Sequence, residues 1–170
     1  MSFLDTIPLD RLLWLVPIFL AIHNLEEAPG MERWSRRLPF KLPFTITTRQ
    51  FTIAVTFLTL AGFVVTYFGV DDAANPTGYL IILGIQAIML FNAFVPHIAT
   101  TIRYRMYSPG VITAMFINIP FSLYLFHRAF DENILNWTQF WILQTIAPFA
   151  MVLLAYTSLQ IGKAFEKQAR

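Results

Sequence analysis

The 170-residue chain is 56% hydrophobic, only 13% charged, carries a formal net charge of +2 and has no cysteine. Soluble domains carry about a quarter charged residues, so this composition excludes an ordinary soluble protein and predicts an integral membrane protein. Without cysteine, disulfides, a thiolate nucleophile and cysteine-ligated clusters are also excluded.

Five apolar segments are long enough to cross the roughly 30 Å hydrocarbon core of a membrane as helices. We therefore predict an all-α, single-domain bundle of five transmembrane helices over residues 1–170, with no internal repeat. The N-terminal sequence lacks the basic region and cleavage site of a signal peptide, so we expect the first span to be retained. The predicted spans are residues 12–28, 51–70, 79–102, 111–130 and 138–162.

Lysine and arginine are distributed unequally between the two predicted sides of the membrane. The first and third loops and the C-terminal tail hold ten of them, whereas the opposite side holds only Arg11 and Arg128. The positive-inside rule then places the N-terminus outside and the C-terminus in the cytoplasm, in an inner or plasma membrane.

The first predicted span ends in the sequence HNLEE, residues 23–27, before a proline and a glycine. Residues three or four apart share a helix face, so His23 faces the same way as Glu26 and Glu27. Carboxylates in the last turn of a helix are disfavoured by about 0.3–1 kcal/mol each. The pair therefore calls for a compensating arginine, metal ion or proton.

Polar residues of three spans fall in the same half of the membrane. At 1.5 Å per residue, His23 and Glu27 lie about 18 and 24 Å below the outer boundary. Asn92 and His97 of the third span lie about 20 and 27 Å down. Asn118 of the fourth span lies about 10 Å inside the cytoplasmic boundary. We therefore expect one buried polar site, in a cavity formed by spans 1, 3 and 4.

The segment before the fourth span predicts a place for an anionic group. Pro96 should interrupt the third span just before His97. The sequence SPG then forms a turn, and the start of the next helix offers free N–H groups to an anion of a substrate or lipid. Arg103, Tyr107 and Asn118 are the candidate substrate-binding residues.

Four blocks of the sequence resemble the signature blocks of the HXXEE family of small integral membrane proteins. They are HNLEE at 23–27, NAFVPH at 92–97, RYRMYSPGVIT at 103–113 and NIP at 118–120. The function of this family is largely uncharacterised, so the resemblance implies marked positions without a reaction. Those positions are His23, Glu26, Glu27, Asn92, His97 and the Pro109–Gly110 turn.

The polar residues favour a membrane enzyme that acts on a lipid or another apolar molecule. His23, Glu27 and His97 are a candidate ligand set for one zinc or iron ion, because two imidazoles and a carboxylate commonly bind these metals. Glu26, Glu27, His23 and Asn92 are the candidate catalytic residues, for hydrolysis with a metal or for acid–base isomerisation or cyclisation without one.

Two other classes of function use the same residues. One is a proton- or cation-coupled transporter, since ionisable residues within spans often bind ions. The other is a lipid-binding membrane protein. We expect no nucleic-acid partner, and the sequence leaves the oligomeric state open, a homo-oligomer included.

Overall fold

The computed structural model describes residues 6–40, 46–71 and 76–168, and within them every regular element is helical. Lys41 and Arg170, two of the basic residues in the predicted charge asymmetry, lie outside the described residues. Nine α-helices, α1 to α9, run in chain order within the described residues. They are Leu9–Leu13, Leu15–Glu27, Met31–Arg37, Thr48–Val70, Pro76–Asn92, Ala99–Tyr104, Val111–Thr113, Ile119–Asp131 and Trp137–Gln168.

Four helical segments are long and apolar enough to cross a membrane. They are Thr48–Val70, Pro76–Tyr104, Val111–Asp131 and Trp137–Glu166. Large apolar side chains such as Leu60, Phe68 and Phe149 are exposed on these helices. An all-helical, multi-pass membrane protein is therefore indicated, and the positions agree with the predicted spans 2 to 5.

The predicted first span is divided in two. Helix α1 ends at Leu13 and α2 begins at Leu15, so neither helix alone reaches spanning length. Pro17 has no N–H for the carbonyl of Leu13, and its ring clashes with that carbonyl in a regular helix, which accounts for the break around Trp14. The count of five spans is therefore not confirmed, although α2 ends at Glu27, within one residue of the predicted end.

Close backbone contacts hold the long helices together. A Cβ atom at Gly162 of α9 would overlap the carbonyl oxygen of Gln50 in α4, and one at Gly78 of α5 would overlap Gly69 of α4. Lipid is as apolar as a leucine side chain, so burial from water contributes little between helices in a membrane. Small residues that allow tight packing contribute more, and these two glycines bring α5 and α9 against α4.

Two π-helical turns interrupt Pro76–Tyr104 and Val111–Asp131, which correspond to the predicted third and fourth spans and are called the third and fourth segments below. In the first, Ala93–Ile98, Val95 has φ −132° and ψ 114°, which is not helical. Pro96 disfavours the α conformation at the preceding residue, so the predicted interruption of the third span is confirmed. The second turn, Ala114–Asn118, precedes Pro120, which cannot donate a hydrogen bond to the turn before it.

Candidate functional site

His23, Glu27 and His97 form a buried cluster at the inner end of α2. One ligand atom of each lies within 4.8 Å of the others. Glu27 Oε1 is 3.6 Å from His97 Nε2, and Glu27 Oε2 is 4.0 Å from His23 Nε2. His23 is 2% exposed, Glu27 8% and His97 0%. The predicted metal-ligand set is thus brought together in space.

Local sequence explains how the three side chains meet. His23 and Glu27 are four residues apart on α2 and therefore share one helix face. His97 belongs to the interrupted turn that follows Pro96, and its ring centroid lies 4.8 Å from that of His23 at an interplanar angle of 83°. The break in the third segment thus sets the direction from which the second imidazole enters.

Hydroxyl groups determine which nitrogen of each ring faces the cluster. His23 Nδ1 lies 2.8 Å from Thr113 Oγ1, whose own hydrogen goes to the carbonyl of Gly110 at 3.1 Å. The hydroxyl therefore accepts from His23, which leaves the Nε2 lone pair of the neutral ring free. His97 Nδ1 similarly lies 3.3 Å from Ser108 Oγ. Such contacts orient histidine ligands in metal sites.

Asn92 bridges the two imidazoles on the side that carries these lone pairs. Its amide nitrogen lies 3.1 Å from His23 Nε2 and 3.0 Å from His97 Nε2. An amide N–H donates to an unprotonated ring nitrogen, which agrees with the protonation inferred for His23 from Thr113. Asn92 therefore belongs to the cluster, as its predicted depth suggested.

Gly110 closes the cluster from the start of α7. It has a φ of +89°, and a Cβ atom there would lie 2.7 Å from His23 Cε1 and 2.9 Å from His97 Cε1. The same Cβ would lie 3.3 Å from Glu27 Cγ. A glycine is thus required both by the left-handed backbone and by the two rings.

Glu26 has a different environment from its neighbour Glu27. Its carboxylate accepts hydrogen bonds from the backbone N–H groups of Ile112 at 3.1 Å and Thr113 at 2.8 Å. The hydroxyl of Tyr107 also donates to it. These N–H groups belong to the first turn of the fourth spanning segment, where an anion is favoured. Glu26 therefore occupies the position that the sequence analysis assigned to an anionic group of a substrate or lipid.

The candidate substrate-binding residues lie in three separate environments. Arg103 is exposed and its guanidinium lies 5.6 Å from the ring centroid of Tyr104. Tyr107 is 54% exposed and bonded to Glu26; partial burial and then this hydrogen bond raise the pKa of Tyr107 to about 12. Asn118 is 1% exposed, and neither polar atom of its side chain has a hydrogen-bond partner in the described part of the chain.

A cavity of about 330 Å³ reaches the cluster from within the helix bundle. His23, Glu27 and Asn92 line one part of it, and most of the remaining lining is apolar. The cavity is lined by α2, α4, α5 and α9, so the expected contributions of spans 1 and 3 are confirmed and that of span 4 is wrong. The last helix takes part because the close contact at Gly162 holds it against α4.

Several residues of this site were not predicted, although the sequence carries a signal for some of them. On α9, the lining residues follow the spacing of one helix face; they are Met151, Leu154, Ala155, Ser158 and Leu159. Thr113 and Ser108 carry no comparable pattern, since short hydroxyl side chains are common near helix ends.

A divalent metal fits the cluster chemically. Two neutral imidazoles and one carboxylate leave a coordination position open, as in catalytic zinc sites and non-haem iron sites. Ligand atoms around one tetrahedral zinc lie about 3.3 Å apart, given metal–ligand distances of about 2.0–2.1 Å. The glutamate–histidine separations of 3.6 and 4.0 Å involve different carboxylate oxygens, and one ligand atom from each residue keeps all separations within 4.8 Å, so the side chains would have to close in by up to about 1.5 Å around one ion.

Comparison with known proteins gives a family without a reaction. A family described as "Protein of unknown function with HXXEE motif" matches residues 14–125, well over half of the chain. The Uncharacterized protein YrkK of Bacillus subtilis (strain 168) is 24% identical over 143 residues, which cover 84% of this chain and 90% of that protein. No solved structure matches the chain. The matched region contains His23, Glu26, Glu27, Asn92, His97 and Gly110, and the chain belongs to the HXXEE family.

Proposed function

We propose that the protein is a membrane-embedded enzyme that binds one zinc or iron ion through His23, Glu27 and His97 and acts on a lipid or other apolar substrate. The observation that carries this proposal is the placement of three metal-ligating side chains within 4.8 Å of one another, beside a largely apolar cavity. Ionisable residues at such depth are costly, and by default they indicate function.

The surroundings of the cluster support a binding role over a purely structural one. Thr113 holds His23 so that its Nε2 lone pair faces Glu27 and Asn92, and Ser108 lies within reach of the distal nitrogen of His97. Such hydrogen bonds beyond the ligands commonly raise the affinity of a metal site. A structural ion pair would not need both rings oriented in this way.

The side chains divide into different roles in this proposal. A bound metal ion would act as a Lewis acid. Glu27 and the two imidazoles would hold it through the Nε2 lone pairs to which Asn92 now donates. The amide of Asn92, released from the rings, would then donate a hydrogen bond to an acceptor oxygen of the substrate. Glu26 positions the start of the fourth segment, because both of its oxygens already accept hydrogen bonds. Hydrolysis fits the open coordination position best; isomerisation or cyclisation is the alternative without a metal.

The placement in the membrane forms part of the same proposal. Helices α1 and α2 together cover residues 9–27, which is about 28 Å at 1.5 Å per residue. We propose that they cross as a fifth span within a single domain. The N-terminus then lies outside and the C-terminus in the cytoplasm of an inner or plasma membrane, in accordance with the positive-inside rule.

Metal analysis of the purified protein tests the metal site. We expect about one zinc or iron ion per wild-type chain, and at least tenfold less in His23→Ala and in His97→Ala. His127→Ala is the matched control, because His127 is an exposed histidine that pairs with Asp131 at 2.9 Å, outside the cluster. Metal near zero in every variant, or equal in all of them, would refute the metal-dependent enzyme.

Transport is a second candidate, favoured by the two interrupted segments that flank the cluster. Transporters place substrate and ions at discontinuous helices near the middle of the membrane. Cation or proton flux into proteoliposomes that disappears in Glu27→Gln would establish transport. A flux equal to that of protein-free vesicles would leave the enzyme as the better proposal.

A further inference from the structure

We propose that the cavity holds the hydrocarbon chain of a single-chain lipid and presents the oxygen-bearing end of that lipid to His23, Glu27 and Asn92. This inference rests on the proposed function and names the substrate class of the same site. It follows from the shape of the cavity, from the distribution of its polar groups and from where its lining is exposed.

The cavity is long and narrow. Its lining residues run from Phe51 to Val65 on α4 and from Met151 to Leu159 on α9, which correspond to about 21 and 12 Å of helix axis. A volume of about 330 Å³ spread over these lengths gives a mean width of about 4.5–6 Å. Carbon atoms of neighbouring groups pack about 3.5–4.0 Å apart, so one hydrocarbon chain fits and two side by side do not.

The polar groups available to a ligand are confined to the cluster. Asn24 also lines the cavity, but its amide nitrogen donates to Thr59 Oγ1 at 2.8 Å. Ser158 donates its hydroxyl hydrogen to the carbonyl of Ala155 at 3.1 Å. The amide of Asn92 faces the Nε2 atoms of both imidazoles, and a metal ion bound to those nitrogens would release its N–H groups for a ligand. His23, Glu27 and Asn92 would therefore present the ligand-binding polar groups of the lining once a metal is bound. A metal ion and an amide N–H both favour an acceptor oxygen, such as that of a carboxylate or an alcohol.

The exposed part of the lining lies on helices that can span a membrane, so we infer that it faces hydrocarbon. Ala61, Ile81, Leu154 and Ala155 line the cavity and are exposed, and each lies on a helix long enough to span a membrane. An entrance formed by apolar side chains at this depth admits a lipid from the membrane and disfavours a water-soluble substrate. A single-chain lipid with one oxygenated end satisfies all three observations.

Binding of radiolabelled palmitate to the purified, metal-loaded protein tests this inference. Ala155→Phe places a ring at the lining, whereas Ala164→Phe makes the same change on the same helix at an exposed position outside the lining. We expect Ala155→Phe to weaken palmitate binding at least fivefold and Ala164→Phe to leave it unchanged, with equal metal content in both. Equal binding by the two variants would overturn the proposal.

Competition against bound palmitate distinguishes the features of the ligand. We expect hexadecanol to compete, hexadecane to compete about tenfold more weakly because it lacks an acceptor oxygen, and dioleoylphosphatidylcholine not to compete. Hexadecane as effective as hexadecanol would refute recognition of the oxygen. Competition by the two-chain phospholipid would refute the single-chain cavity.

The two proposals fail in different ways. Metal in the wild type without saturable palmitate binding would overturn the substrate class and leave the metal site intact. If the purified protein contains no metal but binds palmitate, and Ala155→Phe weakens that binding, the metal-dependent enzyme is overturned and a lipid-binding cavity remains.

Discussion

Substitution of Gly110 by alanine should disrupt the cluster directly. The left-handed backbone at φ +89° disfavours a residue with a Cβ atom by about 1–2 kcal/mol. The added methyl group would also lie 2.7 and 2.9 Å from the two imidazole rings. Forcing extra volume into a packed site costs a further 1–3 kcal/mol or so. Together these effects amount to about 2–5 kcal/mol of unfolding free energy.

The rings have little freedom to give way, because His23 is hydrogen bonded to Thr113 and both rings are bonded to Asn92. For a chain of this length, about 1 kcal/mol corresponds to roughly 2–4 °C in melting temperature. We therefore expect Gly110→Ala to lower the melting temperature by roughly 4–20 °C in detergent, and to abolish metal binding.

Gly84→Ala is the matched control for this experiment. A Cβ atom at Gly84 would lie 3.6 Å from Leu143 Cδ2, an ordinary contact, and alanine suits a helix better than glycine by about 0.5–1 kcal/mol. Differential scanning fluorimetry gives the melting temperature of both variants, and metal analysis gives the number of ions bound per chain. A Gly110→Ala protein as stable and as metal-rich as Gly84→Ala would refute the assignment of Gly110 to the cluster.

Three further predictions concern neighbouring residues. Glu26→Gln should lose about 1–2 kcal/mol of stability and keep its metal, whereas Glu27→Gln should lose the metal. Loss of metal in Glu26→Gln with full metal content in Glu27→Gln would contradict the separate roles of the two glutamates. The hydrogen bond from Tyr107 stabilises the fold fully below the unfolded pKa of about 10, and this stabilisation is lost as pH rises through the folded pKa of about 12. The melting temperature of the wild type should therefore fall between these pH values, and that of Tyr107→Phe should lack this decrease. Asn118→Leu should be neutral or stabilising because the amide is unpartnered, whereas Ser122→Ala should cost about 1 kcal/mol by removing the contact with Gln86; strong destabilisation by Asn118→Leu would show a bound partner there.

The polar residues of the cluster could be predicted, but the division between the two glutamates could not. His23, Glu27, Asn92 and His97 were expected together from their depths, and the structure brings them together. The sequence analysis grouped Glu26 with Glu27, since both lie within one helical turn of His23. Adjacent residues on an α-helix point about 100° apart, so the two carboxylates meet different partners. Which of them meets the imidazoles depends on the rotation of α2 within the bundle.

The contribution of α9 also required the tertiary structure. Its apolar face has the spacing of a lipid-facing helix as well as that of a cavity lining, and hydropathy does not distinguish the two. The close approach of Gly162 to Gln50 selects the face that turns inwards, and this contact joins residues more than a hundred positions apart in the chain.

Hydropathy, helix periodicity and proline positions alone determined the all-helical class, spanning segments 2 to 5 and the interruption at Pro96. These features depend on neighbouring residues, because backbone hydrogen bonds within a membrane must be satisfied inside each segment. The tertiary structure alone decided that Glu26 binds the start of the fourth segment, that Gly110 closes the cluster, and that the cavity lies between α2, α4, α5 and α9. Those outcomes depend on helix rotation and close packing, for which the local sequence offers several nearly equivalent solutions.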